Sequence, residues 1–215
     1  MRPIVEICGP YTAPSATAIR TATTIAAAGA VTLNGSTVSG GVATLDSQRR
    51  VAITSVADDS SLYLIVTGTT DSNDVITETV RCGNATTVYT TLDFKTVTSI
   101  VASGPSVGTI SIGTNSVAGS SWMRMDEWAL PNVGVQTTVS GTINYTVQQT
   151  YDDPNSIDNP VAPVDVVWTN VGTAGSTSAI NAITPAPLYV RVLVNSFSSG
   201  GKVTATASQA GVVPY

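Results

Sequence analysis

The chain has 215 residues, a formal net charge of −5, no histidine, two cysteines, and 11% charged against 42% hydrophobic residues. So apolar a chain is not a disordered one, which needs few apolar residues and a high net charge. Without histidine there are no His-based triads, no His metal sites and no imidazole general base. Lys95 and Lys202 are the only lysines, and no clustered basic footprint for nucleic acid exists.

One or two β domains are expected at this length, with roughly 100–200 residues per domain. Charge is well below the about 25% of ordinary soluble domains. A surface of Thr, Ser and Val suits a packed, sheet-rich assembly protein. No stretch reaches the about 18 apolar residues of a membrane span. Residues 1–15 lack the basic-then-apolar design of a secretory signal. Cys8 and Cys82 read as unpaired thiols of a chain folded in a reducing cytosol, since pairing requires Cα atoms within about 7 Å.

Residues 1–15 hold Pro3, Pro10 and Pro14 and read as an extended arm on the body or on a neighbour, because proline biases the backbone to extended forms. Residues 17–30 mix Ala with Thr and Ile and read as a strand or loose extended segment. Asn34-Gly35 predicts a type I′ hairpin between residues 30–33 and Val38. Residues 42–45 and 50–56 continue the sheet, and Asp58-Asp59-Ser60 turns it. Residues 62–68, 75–80 and 97–101 form a meander, turned at 70–74 and at Gly83-Asn84. Residues 107–112 are one more strand, and 113–120 a Gly/Ser/Asn linker.

The second half opens on Ser121-Trp122-Met123-Arg124-Met125-Asp126-Glu127-Trp128, which holds two of the three tryptophans. Residues 133–138 and 142–150 flank Ser140-Gly141, another hairpin signal. Ile143, Tyr145 and Val147 alternate with Asn144, Thr146 and Gln148, giving one apolar and one polar face. Residues 151–163 are a Pro/Asp/Asn loop, 164–168 a strand and 171–181 a loop. In residues 188–195, Leu188, Val190, Val192 and Val194 alternate with Tyr189, Arg191 and Leu193. Residues 202–208 are the last strand. The pattern predicts an all-β chain: a β-sandwich or jelly-roll-like fold, as two small β domains in tandem (16–118 and 119–215) behind the arm 1–15.

No zinc, phosphate-loop or dinucleotide pattern is present, so no cofactor is expected. The carboxylate groups Asp58-Asp59, Asp71/Asp74, Asp126-Glu127 and Asp152-Asp153 with Asp158 read as turn residues. A glycosidase pair would sit in an aromatic-lined cleft, and aromatics are only 6%. Asp152, Asp153, Asn155 and Asp158 offer oxygens to a cation, although a solvated loop is the favoured reading. Trp122 and Trp128 are expected to pack in a core or between the halves, with an oligomer interface as the alternative.

Two blocks, TGTTDSNDVITETV (residues 67–80) and FKTVTSI (94–100), resemble a module of tailed-bacteriophage virion structural proteins, in which the first pairs with the second. Residues 46–54, Trp122 with Met125-Asp126 and Pro131, residues 140–153, Trp168, and the closing 188–195 and 202–211 complete the order of blocks. The resemblance runs from about Asp46 to Gly211; the turn at 71–74 lacks the expected glycine, and residues 1–45 match nothing in it. It implies a non-enzymatic virion component, foremost a capsid decoration (cement) protein bound to the major capsid protein as a homo-oligomer, often a trimer. A head–tail or tail accessory protein, or a fibre domain binding host glycan, is the alternative; a bacterial adhesin module and a polysaccharide-cleaving enzyme rank lower. The expected contact residues are Arg2, Pro3, Ile4, Val5 and Tyr11 of the arm, and Trp122, Met123, Met125 and Trp128. Truncating the arm is expected to abolish particle binding and leave the fold intact.

Overall fold

The computed structural model describes residues 3–126 and 132–209, and every regular element in them is a β-strand. The chain forms two compact units, one of Ala13–Ala118 and one of Met1–Thr12 with Gly119–Tyr215. The first strand, β1 (Ile4–Cys8), therefore belongs with the C-terminal half.

The inner unit contains β2 (Arg20–Thr23), β3 (Gly29–Ala30), β4 (Val38–Ser39), β5 (Val42–Ser55), β6 (Tyr63–Thr69), β7 (Val75–Arg81), β8 (Thr87–Ala102) and β9 (Ile110–Gly119). Its sheet runs β9-β5-β8-β6-β7, with β2 on β9, β3 on β8 and β4 on β5. The long β8 pairs with both β5 and β6. Of the block 67–80, only the end of β6 pairs with β8, with Thr67 opposite Ser99 and Thr69 opposite Thr96, while its larger part forms β7, which pairs with β6. Alternation in β6 and β7 buries Leu64, Val66 and Val80 and turns Tyr63, Ile65, Val75, Thr77 and Thr79 outward. With Ile19, Ile53, Phe94, Val97, Ile100, Ile110 and Ile112 the buried set forms one core. Each full-sized aliphatic in it contributes about 1.5–3 kcal/mol.

Several local expectations change. Residues 42–55 are one strand, β5, whose register against β8 shifts between Thr44 and Arg49 and between Arg50 and Ala52. The bulges absorb what the sequence presents as a break. Asn34-Gly35 is no hairpin: both amides donate to the Ile19 carbonyl. The two-residue turn is Gly40-Gly41, with φ of +59° and +82°, joining β4 to β5. Both residues sit in the left-handed region that a type I′ turn demands. The missing glycine of the 71–74 turn is replaced by Asn73 at φ +65°, a residue that tolerates this region. Residues 113–119 are strand, since β9 continues through Gly119.

The second unit contains β10 (Met123–Arg124), β11 (Val133–Ser140), β12 (Ile143–Thr150), β13 (Thr169–Gly175), β14 (Ala179–Ile183), β15 (Tyr189–Phe197) and β16 (Lys202–Gln209). One sheet has the order β1-β16-β11-β14; in the other, β12 lies between β13 and β15, and β10 pairs with β15. The sheets form a sandwich. Val133, Val135, Val203, Ala205 and Ala207 on one inner face and Ile143, Tyr145, Val147, Val192 and Val194 in the other sheet are buried. The Tyr145 hydroxyl of β12 bonds to Thr137 Oγ1 of β11 and donates to the Thr177 carbonyl (2.8 Å), tying the layers together.

Residues 140–141 are therefore no hairpin turn: β11 and β12 lie in different sheets. Each carries its apolar face to the other, which adjacent pairing within one sheet would not allow. Residues 164–168 are not strand, and most of 171–181, expected as loop, lies in β13 and β14. These strands are Gly-, Thr- and Ala-rich edges with little buried apolar surface, so they carry little hydrophobic signal. β15 is buried on both faces along residues 189–192, and it pairs with β12 and β10 within its sheet.

Candidate interaction surfaces

The N-terminal segment is built into the second unit. Ile4 to Cys8 pair residue for residue with Ala207 to Val203. Tyr11 then closes the segment down. Its amide donates to the Gly201 carbonyl (3.1 Å), the Gly200 amide donates to the Tyr11 carbonyl (2.8 Å), and its ring stacks on Phe197 at 4.2 Å. Cys8 and Tyr11 are each 1% exposed. Gly9 has φ +93°, and a Cβ there would meet the Gly201 carbonyl oxygen at 2.5 Å. Of the expected arm contacts, Pro3 and Val5 are exposed, Ile4 is half-buried, Tyr11 is buried, and Arg2 lies outside the described residues. The segment is extended, as the prolines predict, but over β1 it is an edge strand of a sheet. Its outward apolar side chains are Val5 and Ile7.

The tryptophan segment resolves into an aromatic cluster. Trp122 packs edge-on against Trp168 (5.1 Å) and Tyr189 (6.0 Å). Trp168 in turn lies over the Arg191 guanidinium at 4.1 Å, a cation–π contact. Arg191 Nε donates to Gln148 Oε1 (2.9 Å), and Gln148 Nε2 donates to Asn170 Oδ1 (2.8 Å). The faces of Trp168 and the polar atoms beneath it are thus engaged inside the unit, and Trp122 and Trp168 are both half-buried. Met123 and Met125 are buried, at 1% and 4% exposure, and present no outward contact surface. Trp128 lies outside the described residues. The alternation of Tyr189, Arg191 and Leu193 in the sequence was the available sign that a polar-aromatic face needed a cover.

The carboxylates hold backbone. Asp59, 1% exposed, accepts from the Val107 amide (2.5 Å), the Gly108 amide (3.3 Å) and the Ser55 hydroxyl. Glu78 accepts from the Thr91 (2.7 Å) and Leu92 (2.8 Å) amides, and Thr90 Oγ1 accepts from Val51 (2.9 Å), serving donors at the β5–β8 bulge. Asp58 accepts from the Ser60 hydroxyl and amide, and these bonds hold its carboxyl below the usual range. Asp152 accepts from Val167 (2.7 Å), and Asp153 from Asn155 (2.9 Å) and from the Tyr189 hydroxyl (3.3 Å). Among the described residues no three of Cys, Asp and Glu gather into a metal-holding group. Sequence reasoning placed Asp58, Asp59, Asp152 and Asp153 in turns; it missed Glu78, whose alternation in β7 points it inward and was the available sign.

Cys8 and Cys82 are both buried thiols. Burial, then the Asp59 charge, pushes Cys82 up to about 11. Arg20 donates to the carbonyls of Ile110 (2.8 Å), Thr23 (3.1 Å) and Thr24 (3.2 Å), and burial lowers its pKa. Among the described residues no helix is long and apolar enough to cross a membrane.

Outside these anchored groups, the inner unit presents an exposed strand face. Tyr63 and Ile65 of β6 and Val101 of β8 are 42%, 40% and 38% exposed, beside Thr67, Thr77 and Thr79. Ile65 lies opposite both Val101 and Thr79. Comparison with family models, curated proteins and solved structures returns no match.

Proposed function

We propose that this chain is a non-catalytic structural component of a tailed-bacteriophage particle, a decoration protein that binds the assembled capsid through its major shell protein and stiffens it. The observation that carries the reading is the order of the sequence blocks, of which residues 67–69 and 96–99 are hydrogen-bonded neighbours in β6 and β8. Two further features support it. The buried carboxylates Asp59 and Glu78 are spent on backbone amides rather than gathered at a cleft. The outward strand face is Thr, Ile, Val and Tyr, a surface that packs against protein. A decoration protein works by mass action: what binds only the assembled shell stabilises it, and several copies per shell multiply the effect.

The test is the copy number in purified particles, by quantitative mass spectrometry against the major shell protein. A number comparable to that of the shell protein supports decoration. A small number matching portal or tail symmetry moves the protein to the neck or tail. Absence from particles overturns the virion reading.

A further inference from the structure

We propose that the chain cuts its own backbone between Asp153 and Pro154, with the Asp153 carboxyl as nucleophile and water as the second reactant. This is the only Asp–Pro bond in the sequence. It lies in the loop between β12 and β13, closed at its base where the Val167 amide donates to Asp152 Oδ2 (2.7 Å). Asp153 and Pro154 are both half-buried, so water reaches the bond. The inference rests on this loop alone and goes beyond the particle reading.

The loop prepares carbonyl, nucleophile and leaving group together. The Asp153 carbonyl oxygen accepts from the Ser156 amide (3.3 Å) and from the Val161 amide (3.2 Å). An ordinary turn supplies the first of these bonds; the second comes from across the loop. Two amides on one carbonyl oxygen are the donor set of an oxyanion hole. Asp153 Oδ1 accepts from the Asn155 amide (2.9 Å) and from the Tyr189 hydroxyl of β15 (3.3 Å), which itself accepts from Asn155 Nδ2 (3.1 Å). The carboxyl is thus fixed beside the bond rather than free to turn into solvent, the condition for a fast intramolecular reaction. Pro154 has no N–H, so its nitrogen cannot close a succinimide on the carboxyl. Attack of the carboxyl on the carbonyl is the route left.

A carboxyl oxygen of Asp153 adds to the Asp153 carbonyl carbon, as carboxylate nucleophiles do in acyl and glycosyl transfer. The carbonyl electron pair moves onto the oxygen held by Ser156 and Val161, then returns as the C–N bond breaks. The carboxyl proton leaves with the Pro154 nitrogen, which becomes a secondary amine. Water opens the resulting cyclic anhydride to two carboxyl groups. One water is consumed, and the products end at Asp153 and begin at Pro154. The two pieces stay joined by the β12–β15 and β11–β16 ladders, so the cut shows only after denaturation.

The test incubates the folded full chain in mildly acidic buffer, denatures samples over time, weighs them by mass spectrometry and sequences any new N-terminus. A single cut is expected, with Pro154 as the new N-terminus. In the same buffer with enough urea to unfold the chain, the Asp–Pro bond keeps its intrinsic lability but loses the donors that the fold supplies. The cut should then be about tenfold slower or more. Asp153→Asn keeps an acceptor for the Asn155 amide and removes the acid; it should abolish the cut and leave tryptophan emission native. An uncut folded chain, a new terminus other than Pro154, a rate in urea that equals or exceeds the folded rate, or an Asp153→Asn chain cut at the parent's rate each overturns the proposal.

Discussion

Removing residues 1–11 should unfold the unit that contains the C-terminal half, although these residues read in the sequence as a detachable arm. The deletion takes away all of β1 and exposes the β16 edge to which it is paired. It also takes Cys8 and Tyr11, each 1% exposed. Tyr11→Ala alone leaves the Phe197 ring without its stacking partner at 4.2 Å. Truncating a buried aromatic costs about 3–5 kcal/mol. The lost ladder adds about 1 kcal/mol for each hydrogen bond not regained from water. Domains of this kind hold about 5–15 kcal/mol in total, so the point variant should survive with a lowered urea midpoint and the deletion should not fold. The assay is urea titration followed by tryptophan emission, because Trp122, Trp128 and Trp168 all belong to this unit. A deletion variant with a native emission spectrum and an unchanged midpoint would refute the reasoning and return the segment to the role of a free arm.

Asp59→Ala should destabilise the inner unit by about 3 kcal/mol, because it orphans the buried amides of Val107 and Gly108; thermal unfolding followed by tyrosine signals measures it. Ala85 holds φ +47° without being glycine, so Ala85→Gly should stabilise by about 1 kcal/mol in the same melt. Cys82 should resist alkylation in the native protein at neutral pH, and only denaturant should make it react. Its folded pKa is raised from 9.0 to about 11. The stability it contributes is therefore full below about 9 and is lost as pH rises through about 11, a fall of about 3 kcal/mol that Cys82→Ser should flatten.

The all-β class was legible throughout, because alternation in β6, β7 and β16 follows the pleat residue by residue, although in β12 the expected polar face, Thr146 and Gln148, is buried too. What misled was the meaning of turns. Asn34-Gly35 and Ser140-Gly141 carry hairpin chemistry, yet neither joins paired strands. A turn signal states that the backbone bends, not which partner the next strand takes. Edge strands such as β13 and β14 were invisible because their side chains are small and largely exposed, so burial left no pattern to read. The tryptophan cluster was half legible: Trp122 was singled out, but its partners Trp168 and Tyr189 are 46 and 67 residues away, and Arg191 joins through Trp168. Only the β12–β15 pairing brings Gln148 and Arg191 together.

The connectivity makes one more demand. Ala13–Ala118 is an insertion within the other unit, whose own strands come from Met1–Thr12 and Gly119–Tyr215. The inner unit has a core drawn wholly from its own residues, Ile19 to Ile112. Its longest strand closure, Arg20 to Ile112, spans less than half the separation of Ile4 and Ala207, so it costs less entropy. The outer unit cannot complete the β1–β16 ladder until Ile4 has met Ala207 across the whole insertion. Folding should therefore run inside out, with the inner unit first and its compaction bringing residues 12 and 119 within reach. Residues 13–118 expressed alone should unfold cooperatively, whereas 119–215 alone should stay unfolded until a peptide of residues 1–12 is added. An inner fragment without a cooperative transition, or an outer fragment that folds without the peptide, would show that this order is wrong.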